Sequence, residues 1–337
     1  MREFCTLFDS NYLVKAVAMY RSLLRHRPDA RLTAFCFDDE AKAILDELAL
    51  PQLSTVSLAE LETSDPALLS TKGDRSAVEY CWTATPALPR FLFATRPELR
   101  EATYLDADLL FFADPEPLFA EMGDASVLIT PHRFSPEYAH QAQNGIFNVQ
   151  FLVFRRDGRG EHVLQWWHDR CIEWCYYRLE DGKLGDQKYL DDWPERFEGV
   201  HVLRHKGGGL APWNISQYDL RPIGGDRVMV DEDELVFYHY HRTQLRRRGA
   251  HAWQPPGYEI TKRDRELVYD PYLIALDAAA AEIRRVRPGF DAGFTSPPPL
   301  RQRVRDARAT LGARAVTRYP ILLRLRHPIA SRAGRLR

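Results

Sequence analysis

The sequence has 337 residues, of which 45% are hydrophobic, enough to bury a substantial core in one large domain or in one domain with an appendage. Its five cysteines, an odd number without a Cys-x-x-Cys pair, argue against a disulfide framework and favour a reducing compartment. The absence of a signal-peptide core, and of any run of about 18 uncharged apolar residues, predicts a soluble, cytoplasmic protein.

The net charge of −1 is unevenly distributed along the chain. Residues 284–337 contain 14 arginines and two acids, a net charge of +12, which leaves −13 on the rest. Apolar residues among the arginines of 318–326 predict an amphipathic segment on an anionic surface, such as the inner face of a membrane. A solvated, partly disordered tail is the alternative. Nucleic-acid binding is not expected, because no recognition motif accompanies the charge.

Apolar segments alternate with amphipathic ones along the first part of the chain. Strands are predicted at 4–8, 32–37 and 55–58, and helices at 13–24 and 40–50. This alternation predicts a doubly wound sheet of parallel strands, in which ligands bind outside the carboxyl ends of the strands.

The same pattern continues to a last strand at 235–241, and an alanine-rich helix is predicted in the extension that follows. Residues 77–93 are predicted to be helical, with Pro86 and Pro89 kinking or breaking the helix. Further strands are predicted at 104–112, 127–130, 146–155, 200–203 and 235–241. Further helices are predicted at 162–178, 185–191 and 273–286.

Two carboxylates lie within the strand predicted at 104–112. Asp106 and Asp108 are two residues apart, so in an extended chain both point to the same side. Burying two charges is costly unless something compensates them, and a divalent cation is the usual compensation. A second pair, Asp231 and Asp233, falls in a polar turn and requires no partner. The sequence therefore predicts a metal site at the first pair.

Other residue types suited to ligand binding stand where predicted elements begin or end. Glycines allow backbone N–H groups to approach an anion closely, and imidazole and carboxylate groups bind metals. In chain order, these candidates are Asn148, Asp186, Gln187, the glycines of 207–209, His239 and His241.

Taken in this order, the motifs resemble those of GT-A glycosyltransferases of the glycogenin and lipopolysaccharide galactosyltransferase type, glycosyltransferase family eight. The resemblance runs from about Cys5 to His241. It implies an α/β GT-A fold, which is a Rossmann-like, mostly parallel mixed sheet with helices on both faces. It implies a catalytic domain over residues 1–245 and leaves 246–337 as a Pro- and Arg-rich extension that is partly helical.

The resemblance also implies roles for individual residues. Asp106, Asp108 and His239 would bind Mn²⁺, or Mg²⁺, on the diphosphate of a nucleotide sugar, and this ligand set suits manganese better than calcium. Asp186 and Gln187 would be the catalytic residues beside the anomeric carbon. The nucleotide-sugar contacts implied are Thr6, Phe8, Asp9, Arg75 (with Lys72 as the alternative), Asp106, Ala107, Asn148 and Gln150.

The function implied is that of a metal-dependent glycosyltransferase of the hexosyltransferase type. It would move a sugar from a nucleotide sugar, expected to be a UDP-sugar, to an unidentified glycan, lipid-linked or protein acceptor, with retention of configuration. Gln150 and Arg242 replace glycines of the family pattern, so the sugar pocket and the loop after the last strand are expected to differ.

Two alternatives remain at this point. One is a GT-A-like binding module that has lost activity. The other is a nucleotidyltransferase, which would be expected to carry a glycine-rich basic loop after the first strand. Residues 9–13 of this sequence, Asp-Ser-Asn-Tyr-Leu, argue against the second.

Overall fold

The computed structural model describes residues 2–225, 227–247, 251 and 253–296. The strands are β1 (Glu3–Phe8), β2 (Arg31–Cys36), β3 (Leu53–Ser57), β4 (Glu101–Leu105), β5 (Leu109–Phe111), β6 (Val127–Pro131), β7 (Phe147–Arg155), β8 (Val200–Val202), β9 (Leu220–Pro222), β10 (Val228–Val230), β11 (Asp233–Glu234), β12 (Phe237–His239), β13 (Leu245–Arg246) and β14 (Phe294–Thr295).

The α-helices are α1 (Leu13–His26), α2 (Asp39–Leu48), α3 (Leu58–Ser64), α4 (Pro66–Thr71), α5 (Ala77–Ala84), α6 (Ala87–Thr95), α7 (Glu116–Met122), α8 (Gly158–Glu173), α9 (Trp193–Arg196), α10 (Lys262–Asp264) and α11 (Asp270–Val286). Short 3₁₀ segments cover Pro136–Asn144, Gln187–Asp192 and Ile215–Gln217, and a π-helical turn at Arg265–Tyr269 leads into α11.

Seven strands form the central sheet in the order β3-β2-β1-β4-β7-β6-β8. The strands β1, β2, β3 and β4 run parallel, β7 is antiparallel to both β4 and β6, and β8 is parallel to β6. The side chains of β1 alternate between two cores: Phe4 and Phe8 face one, and Cys5 faces the other. The first core contains residues of α1, α2 and α11, and the second contains residues of α5, α6 and α8. The predicted mixed sheet with helices on both faces is therefore confirmed.

The helix predicted at 77–93 is broken into α5 and α6 at Pro86, which precedes α6, whereas Pro89 lies within the first turn of α6 and does not break it. Ser76 and Glu79 begin α5 with a capping box, in which the Ser76 hydroxyl accepts from Glu79 N and the Glu79 carboxylate accepts from Ser76 N. This reciprocal pair fixes where α5 starts. The helix predicted at 162–178 corresponds to α8, but it ends at Glu173 and an irregular segment follows.

The prediction of one buried strand over 104–112 is wrong. The chain leaves the central sheet after Leu105, turns at Asp106–Asp108, and re-enters strand structure as β5, which pairs with β12 in a separate sheet. An apolar run indicates that a segment is buried, but it does not indicate with which strand the segment forms hydrogen bonds. The sequence pattern therefore did not predict that β4 and β5 belong to different sheets. The two carboxylates consequently lie in a turn between two strands.

Residues 253–296 pack against the same core as the sheet. The helix α11 lies along α1, and its residues Leu276 and Ile283 are fully buried. The ring of Tyr272 stacks on that of Tyr240, which follows β12, with 3.6 Å between the centroids. The predicted alanine-rich helix is thus confirmed, whereas the domain boundary at 245 stays a prediction. The basic segment predicted at 318–326 lies outside the described residues, and no described helix is long and apolar enough to cross a membrane.

The packing of α11 generates a stability prediction with a matched control on the same helix. Ile283 is fully buried, whereas Ile274 is 70% exposed. We expect Ile283→Ala to lower the free energy of unfolding by about 2–5 kcal/mol, through lost burial and the cavity left behind. Ile274→Ala should change it by less than about 0.5 kcal/mol. Urea denaturation followed by circular dichroism measures both, and equal effects would contradict the packing of α11 on α1.

Candidate metal and donor-sugar site

The candidate site lies where β1, β4 and β12 end and β7 begins. Asp106 follows β4 directly, and its backbone N–H donates to the Gln150 carbonyl of β7 at 3.0 Å. The Asp108 carbonyl accepts from Tyr240 N at 2.9 Å, which ties the same turn to the end of β12. The turn that carries both carboxylates is thus held by main-chain hydrogen bonds on both sides.

Asp106, Asp108 and His239 form one compact cluster. His239 Nε2 lies 3.1 Å from Asp108 Oδ1 and 3.7 Å from Asp106 Oδ2. One ligand atom from each of the three residues lies within 4.8 Å of the other two. Two carboxylates and one imidazole are a donor set that suits Mn²⁺ or Mg²⁺, with the imidazole favouring manganese. The residues predicted to bind a metal are therefore brought together.

The protonation of the cluster follows from burial and mutual charge. Burial raises the pKa of Asp106 to about 6, although the neighbouring His239 acts in the opposite direction. Burial alone would also raise the pKa of Asp108, but His239 and Lys15 hold it well below its usual range. Burial would lower the pKa of His239, yet Asp108 raises it above its usual value. Asp108 is thus the carboxylate held most firmly in its charged form.

Lys15 is an ion-pair partner of the cluster that the sequence did not predict. It projects from α1, is only 6% exposed, and places Nζ 3.6 Å from Asp108 Oδ2. Its ammonium also lies 4.2 Å from the ring centroid of Tyr12, a residue that is 44% exposed beside the cluster. A signal was available, because Lys15 is the only charge among residues 13–20, all of which are buried.

Asp186 and Gln187 stand at the end of the irregular segment that follows α8, and the charge of Asp106 acts on Asp186. Asp186 is 4% exposed, its backbone carbonyl accepts from Trp167 Nε1 at 2.9 Å, and its Oδ2 has no hydrogen-bond partner among the described residues. Burial first, and then the negative charge of Asp106, raise the pKa of Asp186 to about 7. Gln187 donates from Nε2 to the Asn144 carbonyl at 3.3 Å. Asp186 therefore lies within electrostatic reach of Asp106 and has a free acceptor.

Asn148 and Gln150 are buried at the start of β7. Asn148 Nδ2 donates to His132 Nε2 at 3.0 Å, and its Oδ1 accepts from Gln150 N at 2.8 Å. The Gln150 side chain is fully buried, with both amide atoms lacking partners in the described part of the chain. A Cβ on Gly209 would lie 3.1 Å from Gln150 Nε2 and 2.6 Å from Thr130 Cγ2, so this glycine permits close packing.

Three histidines surround one tryptophan beside the cluster. The ring centroid of Trp213 lies 5.2 Å from that of His132, 5.3 Å from His239 and 5.7 Å from His241. Burial lowers the pKa of His132 to about 3 and of His241 to about 4, and the charge of His239 adds to both shifts. His132 and His241 are therefore neutral at physiological pH. Trp213 and His132 were missed as a pair because only tertiary structure brings them together.

The other predicted nucleotide-sugar contacts occupy different environments. Thr6 and Phe8 are buried within β1, Phe8 in the core, and Ala107 is 6% exposed. Asp9 accepts from Asn11 N and Nδ2 at the end of β1. Burial raises the pKa of Cys81 to about 12, and the negative charges of Asp9 and Asp186 act in the same direction. Both carboxylates therefore lie within electrostatic reach of this residue of α5.

Arg75 and its alternative Lys72 lie further out, before α5. The Arg75 guanidinium lies 3.9 Å from the ring centroid of Tyr176, and Nη2 donates to the Ile172 carbonyl at 3.2 Å. Lys72 pairs instead with Glu62 at 2.6 Å. The structure thus joins Arg75 to the last turn of α8 and to the segment that follows it and leads to Asp186.

Two proteins of Bacillus subtilis are similar to this chain in sequence. No family model matches the chain. The uncharacterized protein YfnD of Bacillus subtilis (strain 168) is 34% identical over 301 residues, which are 87% of this chain and 94% of YfnD. YfnF of the same organism is 32% identical over 300 residues, 87% of this chain and 97% of YfnF.

A solved structure of the galactosyltransferase LgtC, in complex with donor and acceptor sugar analogues, is similar with a TM-score of 0.52 and 14% identity. The similarity covers 82% of this chain and 95% of that chain. The fold is therefore the GT-A fold of glycosyltransferases, as the sequence motifs predicted.

The Lys15–Asp108 pair predicts an effect of a divalent cation on stability. Both side chains are about nine-tenths buried, so Lys15→Met leaves Asp108 without its lysine partner and should lower stability by about 3–5 kcal/mol. Mn²⁺ should then raise the melting temperature of the variant more than that of the wild type, because the cation replaces the missing positive charge.

The matched control is Lys42→Met, which breaks the exposed Lys42–Asp46 pair and should cost less than about 1 kcal/mol. Differential scanning fluorimetry with and without Mn²⁺ measures both variants. An equal response of Lys15→Met and wild type to Mn²⁺ would contradict the coupling between Lys15 and the cluster.

Proposed function

From its GT-A fold we propose that this chain, which belongs to the same family as YfnD and YfnF, is a glycosyltransferase. It moves a sugar from a nucleotide sugar, a UDP-sugar, to an acceptor, in a reaction that depends on Mn²⁺ or Mg²⁺. The observation that carries this proposal is the cluster of Asp106, Asp108 and His239 at the strand ends of a GT-A sheet. LgtC, which has the same fold, was solved with donor and acceptor sugar analogues.

The donor is held by three groups of residues in this proposal. Asp106, Asp108 and His239 would hold the divalent cation, which would supply positive charge against the charge that develops on the leaving diphosphate. The residues proposed to contact the nucleobase and its ribose are Thr6, Phe8 and Asp9. Those proposed to contact the sugar and the phosphates are Arg75, Ala107, Asn148 and Gln150.

Asp186 and Gln187 act at the anomeric centre. The carboxylate of Asp186 has one oxygen without a partner, and this oxygen can stabilise an oxocarbenium-like centre. Gln187, fixed by the Asn144 carbonyl, orients a sugar hydroxyl. The incoming acceptor attacks the face from which the phosphate leaves, so the anomeric configuration is retained. In this scheme the two residues do not form a conventional acid and base pair.

Hydrolysis of the donor tests the proposal without knowledge of the acceptor. We expect the full chain to hydrolyse UDP-sugars slowly with Mn²⁺, and not GDP- or dTDP-sugars, as measured by nucleoside diphosphate release. Asp108→Asn should reduce the rate by at least about 100-fold, because a ligand of the cation and its charge are lost.

The second acidic pair provides the control for this experiment. Asp231 lies in the polar turn with φ of 53°, a conformation that asparagine tolerates, and it pairs with Lys206. Asp231→Asn should keep the rate within about threefold of the wild type. Failure of the wild type to bind or hydrolyse any nucleotide sugar would favour the inactive binding module. Release with GDP-sugars alone would refute the UDP assignment.

The role of Asp186 gives a separate prediction. Asp186→Asn should lower kcat for donor hydrolysis by about 100-fold and leave KM nearly unchanged, because the carboxylate acts mainly in the transition state. Asp192→Asn, in the exposed Asp192–Arg196 pair six residues later, is the control and should change neither constant. Full turnover by Asp186→Asn would remove this residue from the mechanism.

A further inference from the structure

Exposed aromatic and apolar side chains stand on α5 and on the irregular segment that leads to Asp186. Tyr177 is 68% exposed and Val78 is 55% exposed, although both lie beside buried or half-buried residues. The rings of Tyr177 and Trp82 are packed edge to face, with 5.3 Å between the centroids. This pair stands on two elements, α5 and the irregular segment that follows α8.

The irregular segment is attached to α5 and carries Asp186. The backbone N–H of Tyr177 donates to Glu79 Oε1 at 2.7 Å, and Glu79 belongs to the capping box of α5. Gly185 packs on Trp82, since a Cβ there would lie 3.1 Å from the indole ring, and its φ of 55° is one that glycine adopts readily. Trp82 therefore touches both Tyr177 and the residue preceding Asp186.

Cations cover the neighbouring aromatic rings but leave Tyr177 open. The guanidinium of Arg75 lies 3.9 Å and that of Arg178 4.4 Å from the ring centroid of Tyr176. Lys183 lies 5.2 Å from the ring centroid of Trp174. Tyr176 and Trp174 therefore pack against cationic side chains. In the described part of the chain no cation covers the exposed face of Tyr177.

We propose that Tyr177, supported by Trp82, is the acceptor subsite, and that it stacks against the pyranose ring of an acceptor glycan. This inference rests on the proposed glycosyltransferase function and adds the substrate class on the acceptor side. The face of a sugar ring presents C–H groups to the negative face of an aromatic ring, and its rim presents hydroxyls. A small apolar platform among the charged residues Glu79, Arg178 and Glu180 matches that pattern, whereas a lipid chain requires a continuous apolar groove.

The position of the platform agrees with the chemistry. Tyr177 contacts Trp82, and Trp82 packs against Gly185, the residue before Asp186, so the proposed platform lies on the same side of the site as Asp186. In this proposal a hydroxyl of the bound glycan attacks the anomeric carbon of the donor. The hydroxyl oxygen forms the new bond to that carbon, the bond to the leaving phosphate breaks, and the hydroxyl proton passes to the phosphate. Atoms and charges balance with the nucleotide sugar and the glycan as the two reactants.

A glycan array with the fluorescently labelled full chain tests the inference. The array carries oligosaccharides ending in glucose, galactose, mannose, rhamnose or N-acetylglucosamine, and Mn²⁺ and UDP are present to order the donor side. We expect the wild type to bind one class of glycan, Tyr177→Ala to bind it at least about tenfold more weakly, and Tyr177→Phe to bind it nearly as well. Leu69→Ala, which removes another exposed apolar side chain on α4, is the control and should bind like the wild type.

The outcomes separate this inference from the proposed function. Glycan binding that Tyr177→Ala retains in full would overturn the platform. Hydrolysis of a UDP-sugar by the wild type without binding to any glycan would overturn the glycan assignment and indicate a lipid-linked or protein acceptor. If the wild type hydrolyses no nucleotide sugar, the proposed function itself fails, whatever the array shows.

Discussion

The structure depends on how one buried and one partly buried carboxylate, Asp108 and Asp106, are compensated at the point where the chain leaves its central sheet. Asp108 is paired with Lys15 of α1 and His239 of β12, and Asp106 accepts a hydrogen bond from the Tyr104 hydroxyl at 2.9 Å. Without such partners, removing these charges from water would lower the free energy of unfolding severely. The positions of α1 and β12 are therefore constrained by electrostatics as well as by packing. A divalent cation would add positive charge to a site in which Lys15 and His239 already compensate part of the negative charge.

The mostly parallel sheet with helices on both faces was predictable, because alternating apolar and amphipathic segments encode a doubly wound fold directly. The order of the strands and the antiparallel course of β7 were not predicted, because both depend on contacts between distant segments. The turn at Asp106–Asp108 was not predictable, since an apolar run does not reveal that β4 and β5 belong to different sheets. Lys15 escaped notice for a related reason. Helical periodicity is defined by the apolar positions of α1, whereas the residue that pairs with Asp108 is the single charge among them.

The proposed donor and acceptor sides of the reaction lie on different kinds of structural element. The donor side uses residues at strand ends, fixed by ladder hydrogen bonds and by main-chain contacts such as Tyr240 N to the Asp108 carbonyl. The proposed acceptor side uses Tyr177, in an irregular segment joined to α5 by the hydrogen bond to Glu79, by the ring contact with Trp82 and by the packing of Gly185 on Trp82. Rigid elements give the precision that catalysis needs, and loops allow substrate preference to vary without disturbing the fold.

The contact between His239 and Asp108 joins positions about 130 residues apart in the chain, and the Tyr240–Tyr272 stack extends the same region into α11. Contacts of such long range form late, because loop-closure entropy must be overcome before they contribute. The first two-thirds of a nascent chain therefore holds both carboxylates but lacks their histidine. The cluster becomes complete only when the C-terminal part has docked, so its assembly reports that the whole domain has folded.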